Sequence, residues 1–126
     1  MPIRPPLGVA RAAQRGLDVR AGKPPSQRGG TAVGLARARD LANRRALSLD
    51  TILRMLRYFA RHYVDREGAT WAEQGPGWQA WHLWGGDPGV RWALSVARRE
   101  APEWYARFVR SPTGGRLLRE FTERGG

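Results

Sequence analysis

The sequence predicts an all-α protein, a single small domain of six or seven short helices with an extended basic N-terminal arm. Three observations lead there. Ile52, Leu53, Met55, Leu56, Phe59, Ala60 and Tyr63 follow the i, i+3, i+4, i+7 rule of a helix with one apolar face. Strand-type alternation is hard to find in any segment. Prolines recur where helices would start, at Pro76, Pro88, Pro102 and Pro112. The length, 126 residues, suits one domain with one modest core.

The elements follow in order. "MPIRPP" (1–6) is an extended arm, because three prolines deny a helix. Residues 7–20 form a helix with Val9, Ala13 and Leu17 on one side, weakened by Gly8 and Gly16. "AGKPPSQRGG" (21–30) is a loop. Thr31 caps a helix over 31–45, with Leu35, Ala38, Leu41 and Ala42 as its apolar side. Ser48 caps the helix over 48–62, and Asp50 sits in its first turn, where the helix dipole favours an anion. Residues 65–77 are a loop. Pro76 opens a short helix that Gly85 and Gly86 stop. Asp87 then caps, and Pro88 opens, the next helix; Pro102 and the pair Ser111–Pro112 repeat the device for the last two.

Charge narrows the partner. There are 22 basic residues against 11 acidic ones, a net charge of +11, and Lys23 is the only lysine. Arginine offers a planar fork suited to phosphate and carboxylate. An anionic partner is therefore expected: nucleic acid first, an acidic protein surface second, a membrane third. The alternative is a basic surface with no specific partner. The cysteine count is zero, which excludes disulfides and cysteine-based zinc sites. The N-terminus lacks the continuous apolar run of a signal peptide, and no segment approaches a membrane span, so a soluble protein is expected.

Trp78, Trp81, Trp84 and Trp92 crowd into residues 78–92. A stacking platform for bases would expose such rings beside arginines. A small core built from short helices would bury them. Helical spacing of the first three favours the core, closed against the stripe from Ile52 to Tyr63.

Other motifs are weighed the same way. "RGGTAVG" (28–34) could present backbone amides to a phosphate at a helix N-terminus, but it has neither the P-loop nor the dinucleotide spacing. A simple glycine entry to the helix is the favoured reading. His62, with Asp65 three residues on, reads as a helix C-terminal residue that gains from the dipole. With two histidines and no cysteine, neither His62 nor His82 suggests a metal site. Helices 31–45 and 48–62 invite a helix-turn-helix reading. The second, however, is rich in arginine and lacks the Asn, Gln and Ser mixture that reads base edges.

The stretch from Arg28 to Ala93 resembles a small module of tailed bacteriophages and prophages. The shared pattern lies in Gly29–Thr31, Ala36–Arg39, Leu47–Thr51, Arg54–Met55, Phe59–Asp65 and Trp84–Asp87. Tyr63 stands where that pattern more often has an acidic residue. The resemblance divides the chain into an arm and short helix (1–27), the phage-type module (28–93) and a C-terminal helical extension (94–126). It implies a phage setting, most of all the virion, with no catalytic residues and no cofactor.

The resulting expectation is a non-enzymatic bacteriophage structural or virion-associated protein. Its partners would be phage capsid or tail proteins, with nonspecific DNA contact and no membrane, in an oligomeric state set by virion assembly. It would reside in the virion, and in the host cytoplasm before assembly. The candidate DNA contacts are Arg28, Arg37, Arg44, Arg45, Arg54, Arg57 and Arg61. The alternative is a phage-encoded nucleic-acid-binding or host-directed regulatory protein.

Overall fold

A computed structural model describes residues 3–123; Met1 and Pro2 of the expected arm, and 124–126 of the expected C-terminal extension, lie outside the described residues. The chain enters as an extended strap. Ile3 and Leu47 exchange backbone hydrogen bonds of 2.7 Å each, an isolated bridge, and Arg44 Nε donates to the Pro5 carbonyl at 2.9 Å. The arm is thus extended, as its prolines dictate, and fastened to the body.

Seven α-helices follow among the described residues: α1 (Leu7–Ala21), α2 (Ala32–Ala42), α3 (Leu49–His62), α4 (Pro76–Leu83), α5 (Gly86–Glu100), α6 (Pro102–Arg110) and α7 (Pro112–Leu118). No β-strand occurs among those residues; the protein is all-α. Short 3₁₀ turns at Pro25–Gln27 and Tyr63–Glu67 lie between helices, and a π-helical turn, Arg119–Glu123, extends α7.

The caps are local and follow the sequence. The hydroxyls of Thr31, Ser48 and Ser111 accept the N–H groups of Gly34, Thr51 and Gly114 at 3.1, 3.2 and 3.1 Å. Helix α2 stops at Ala42, three residues short of the expected end. Arg44 there takes φ 51°, and Asn43 Nδ2 donates to the Arg39 carbonyl at 2.8 Å, so the chain turns out of the helix.

Helix α1 packs on α2, α4 and α5, α3 packs on α5 and α7, and α6 lies across α5 and α7. Gly16 sets the α1–α4 crossing. A Cβ there would stand 2.8 Å from the Leu83 nitrogen and 2.9 Å from the His82 carbonyl carbon. The glycine that weakens α1 as a helix is what lets it approach α4. The boundary drawn at residue 93 falls inside the unbroken α5.

The core centres on Ile52, Met55, Leu56 and Phe59 of α3 against Val90, Ala93, Leu94 and Ala97 of α5, all essentially inaccessible. Trp81 is fully buried and Trp78 nearly so, while Trp84 and Trp92 are half-buried against the same core. The Trp81 ring meets Phe59 edge-on at 4.8 Å, and Trp84 stacks on Tyr58 at 4.7 Å. Trp78 and Trp81 are buried and Trp84 and Trp92 pack against the core, the outcome favoured by the helical spacing of the first three.

One expected cap is wrong. Asp87 does not cap α5. The helix begins at Gly86, behind a corner in which Gly85 (φ 116°) and Gly86 (φ 64°) both take left-handed conformations that glycine alone adopts freely. The Asp87 carboxylate turns inward to other partners.

Candidate nucleic-acid interface

Sinking the apolar face of α3 into the core forces its arginines outward. Arg54, Arg57 and Arg61, at i, i+3 and i+7, form one exposed stripe. Arg54 Nε lies 3.1 Å from the Asp50 carboxylate, with both side chains more than 60% exposed. Exposed pairs of this kind contribute under about 1 kcal/mol, so a phosphate can displace the contact.

The other four sequence candidates do not join that stripe as a group. Arg37 is largely buried and pairs with Asp40 at 3.3 Å. Arg44 is half-buried and holds the N-terminal strap through Pro5. Arg28 Nε and Nη2 donate to the carbonyls of Lys23 and Ala21, closing the loop after α1. Arg45 is exposed beside Arg44. Arg37 and Arg44 have structural duties, whereas Arg54, Arg57 and Arg61 present their charge to solvent.

Two further basic surfaces escaped sequence reasoning. Arg91, Arg98 and Arg99 of α5 line an open groove of about 670 Å³ with Tyr105 and Phe121. The Arg91 guanidinium lies 5.6 Å from the Phe121 ring, and Arg99 Nε donates to Glu100 at 2.8 Å. The available signal was the i, i+7 spacing of Arg91 and Arg98, which reads equally as an ordinary solvated face. The second surface adjoins the α3 stripe. Arg57 shares a shallow notch of about 230 Å³ with Trp104, Arg107 and Phe108. No residue of α6 is fully buried. The Trp104 and Phe108 rings stack nearly parallel, 13° apart, with centroids 4.9 Å from each other.

Several residues of the pattern expected for a phage module sit at joints, while Ala36–Arg39, Arg54–Met55 and Phe59–His62 of the same pattern lie within α2 and α3. Gly29 passes beneath Pro76 with no space for a side chain, and its N–H donates to Gln79 Oε1 at 2.8 Å. That amide is therefore committed internally rather than offered to a phosphate. Asp87 accepts from Arg66 Nη1 at 2.8 Å and from Trp81 Nε1 at 2.9 Å, and Arg66 Nη2 lies 3.4 Å from its second oxygen. Arg66 is in turn surrounded by Tyr63, Trp71, Trp81 and Phe121, with ring centroids 5.2–5.7 Å away. Burial alone would raise the Asp87 carboxyl, but the bonds from Arg66 and Trp81 outweigh it and hold the group below the usual carboxylate range. The local Asp-Pro signature suggested a cap; the ion pair with a residue 21 positions earlier won.

His62 Nδ1 stands 3.1 Å from Asp65 at the end of α3. His82 stacks on Trp78 at 3.8 Å, and its Nδ1 lies 2.8 Å from the Trp78 carbonyl. Burial pushes His82 below the ordinary imidazole value. Tyr58, stacked between His62 and Trp84, has its hydroxyl pushed up by burial. Among the described residues no group of three or more His, Cys, Asp or Glu could hold a metal ion, and no helix is long and apolar enough to cross a membrane.

Comparison with protein-family models, with curated proteins and with solved structures finds no match to this chain.

Proposed function

We propose that this chain is a non-enzymatic, virion-associated or structural protein of a tailed bacteriophage, one that joins a capsid or tail component and contacts packaged DNA without sequence preference. The single observation that supports DNA contact is the exposed arginine stripe Arg54–Arg57–Arg61 on a protein of net charge +11. A rigid helix holds those guanidinium groups in a row, suited to successive phosphates. Phosphate contacts position a protein on a duplex and carry no sequence information. The phage setting rests on the resemblance over Arg28–Ala93.

The test is a salt titration on unrelated duplexes. Binding is expected in the nonspecific range, roughly 10⁻⁴ to 10⁻⁶ M at physiological salt. Replacing Arg54, Arg57 and Arg61 together by Gln should flatten the log–log salt slope by up to about 2.7, at about 0.9 per phosphate contact. An unchanged slope, or no binding at low salt, would overturn DNA contact through α3. Tight binding to one sequence would favour the regulatory alternative. Mass spectrometry of purified particles decides residence: the chain should appear in fixed stoichiometry with the major capsid protein.

A further inference from the structure

The notch between α3 and α6 is a different kind of surface from the arginine stripe. A phosphate-binding face needs cations only. Here two exposed arginines, Arg57 from α3 and Arg107 from α6, flank a pair of stacked aromatic rings. Trp104 and Phe108 lie one helical turn apart on α6, so their rings share a face and are held nearly parallel by the helix itself. Both rings are half-buried: each packs in part against the core, as Trp84 and Trp92 do, and in part lines the open notch. Their contrast with Trp81, which is fully buried among other rings, is sharp.

We propose that this notch receives an unpaired base of single-stranded nucleic acid, stacked on the Trp104–Phe108 pair, with the flanking phosphates on Arg57 and Arg107. The inference rests on the nucleic-acid reading above and adds a preference for single strands. Rings plus cations complement a strand that offers π-faces and phosphates alternately, which is how nonspecific single-strand binders work. A duplex keeps its bases stacked inside and would use the arginines alone. An acidic peptide would likewise use the cations and leave the rings without a matching partner. Among the described residues no ion pair occupies Arg57 or Arg107.

The experiment compares two probes of equal length and charge on the whole protein: an oligothymidylate and the same backbone without bases. The oligothymidylate should bind about tenfold more tightly, the scale of one base–aromatic stack, and should quench part of the tryptophan emission. The base-free probe should do neither. Trp104→Leu, which keeps an apolar side chain on α6, should erase the difference between the probes. Arg57→Gln with Arg107→Gln, both at exposed positions, should weaken both probes and leave the quenching at saturation intact. Equal binding of the two probes by the wild-type protein overturns the inference while leaving duplex binding through α3 standing. Failure of every nucleic acid to bind at low salt overturns both readings. Binding of polyglutamate, but of no nucleic acid, at a notch blocked by the Arg57/Arg107 double variant would also overturn the inference and assign the surface to an acidic protein.

Discussion

Gln79 is the only polar residue recorded as fully buried among the described residues, and it ties three segments together. Its Oε1 accepts from the Gly29 amide at 2.8 Å, while Nε2 donates to the carbonyls of Gln27 at 3.1 Å and Gln74 at 2.9 Å. One side chain of α4 thus fastens both the loop that enters α2 and the loop that enters α4. Gln79→Met preserves shape and removes all three bonds. Each neutral bond contributes about 1 kcal/mol net, and a buried amide left without a partner costs about 1–3 kcal/mol. Better burial of the thioether returns part of that. The expected loss is about 2–4 kcal/mol, a fall in Tm on the order of 10 °C for a domain of this size. Urea unfolding followed by tryptophan emission measures it, with the slope unchanged. Gln79→Glu should be worst at neutral pH, because an ionised carboxylate would face two carbonyl oxygens. Its buried carboxyl would titrate above the unfolded value, so stability should recover as pH falls and the group regains a proton. A Met variant within about 0.5 kcal/mol of wild type would show that these bonds contribute nothing net and refute the reasoning.

Two further outcomes are expected. Leu56→Ala and Phe59→Ala should each destabilise by about 2–5 kcal/mol, since both side chains are fully buried and Phe59 also packs on Trp81; thermal melts at the wild-type temperature for both would sink the core assignment. Stability should also fall in two steps on acidification, read as urea midpoint against pH. Folded His82 resists the proton that its unfolded counterpart takes below about pH 6.5, so the first decline begins there. Asp87, depressed in the fold, contributes stability that is present above about pH 4 and lost as pH falls through its folded value. His82→Phe, which keeps a ring on Trp78, should remove the first decline and keep the second; the reverse result would contradict both assignments.

What the sequence disclosed and what it hid divide along the range of the interactions. The caps at Thr31, Ser48 and Ser111 involve partners three residues away, and α3 declares itself by period alone. Asp87 was misread because its true partners, Arg66 and Trp81, come together only in the folded chain. Gln79 drew no reading from the sequence, because nothing local marks its bond to Gly29, 50 positions away. The basic surfaces obey the same division. Arg37 and Arg44 match Arg54 and Arg57 in type, yet the fold draws the first two into internal bonds and leaves the others exposed.

The phage-module pattern proposed for residues 28–93 is best understood in those terms. Its residues include Gly29 beneath Pro76, the caps Thr31 and Ser48, the Gly85–Gly86 corner and Asp87 under Arg66. These are positions where a close approach, a left-handed backbone or a part-buried ion pair leaves few alternatives, so this part of the pattern describes a scaffold, whereas Arg54 and Arg61 of the same pattern are exposed. Arg98, Arg99, Trp104, Arg107 and Phe108 lie beyond Ala93, outside that pattern, and they supply most of the groove and notch chemistry. Only Arg57 lies within the module and also lines the notch. A chain sharing the joints but lacking an α6 with paired rings would keep the fold and the α3 stripe, and with them the duplex contact proposed for that stripe. It would lack the proposed discrimination between a base-bearing and a base-free strand. Removing α6's ring chemistry by Trp104→Leu imitates that chain within this one, which is why the two-probe comparison separates what the scaffold does from what its C-terminal helices add.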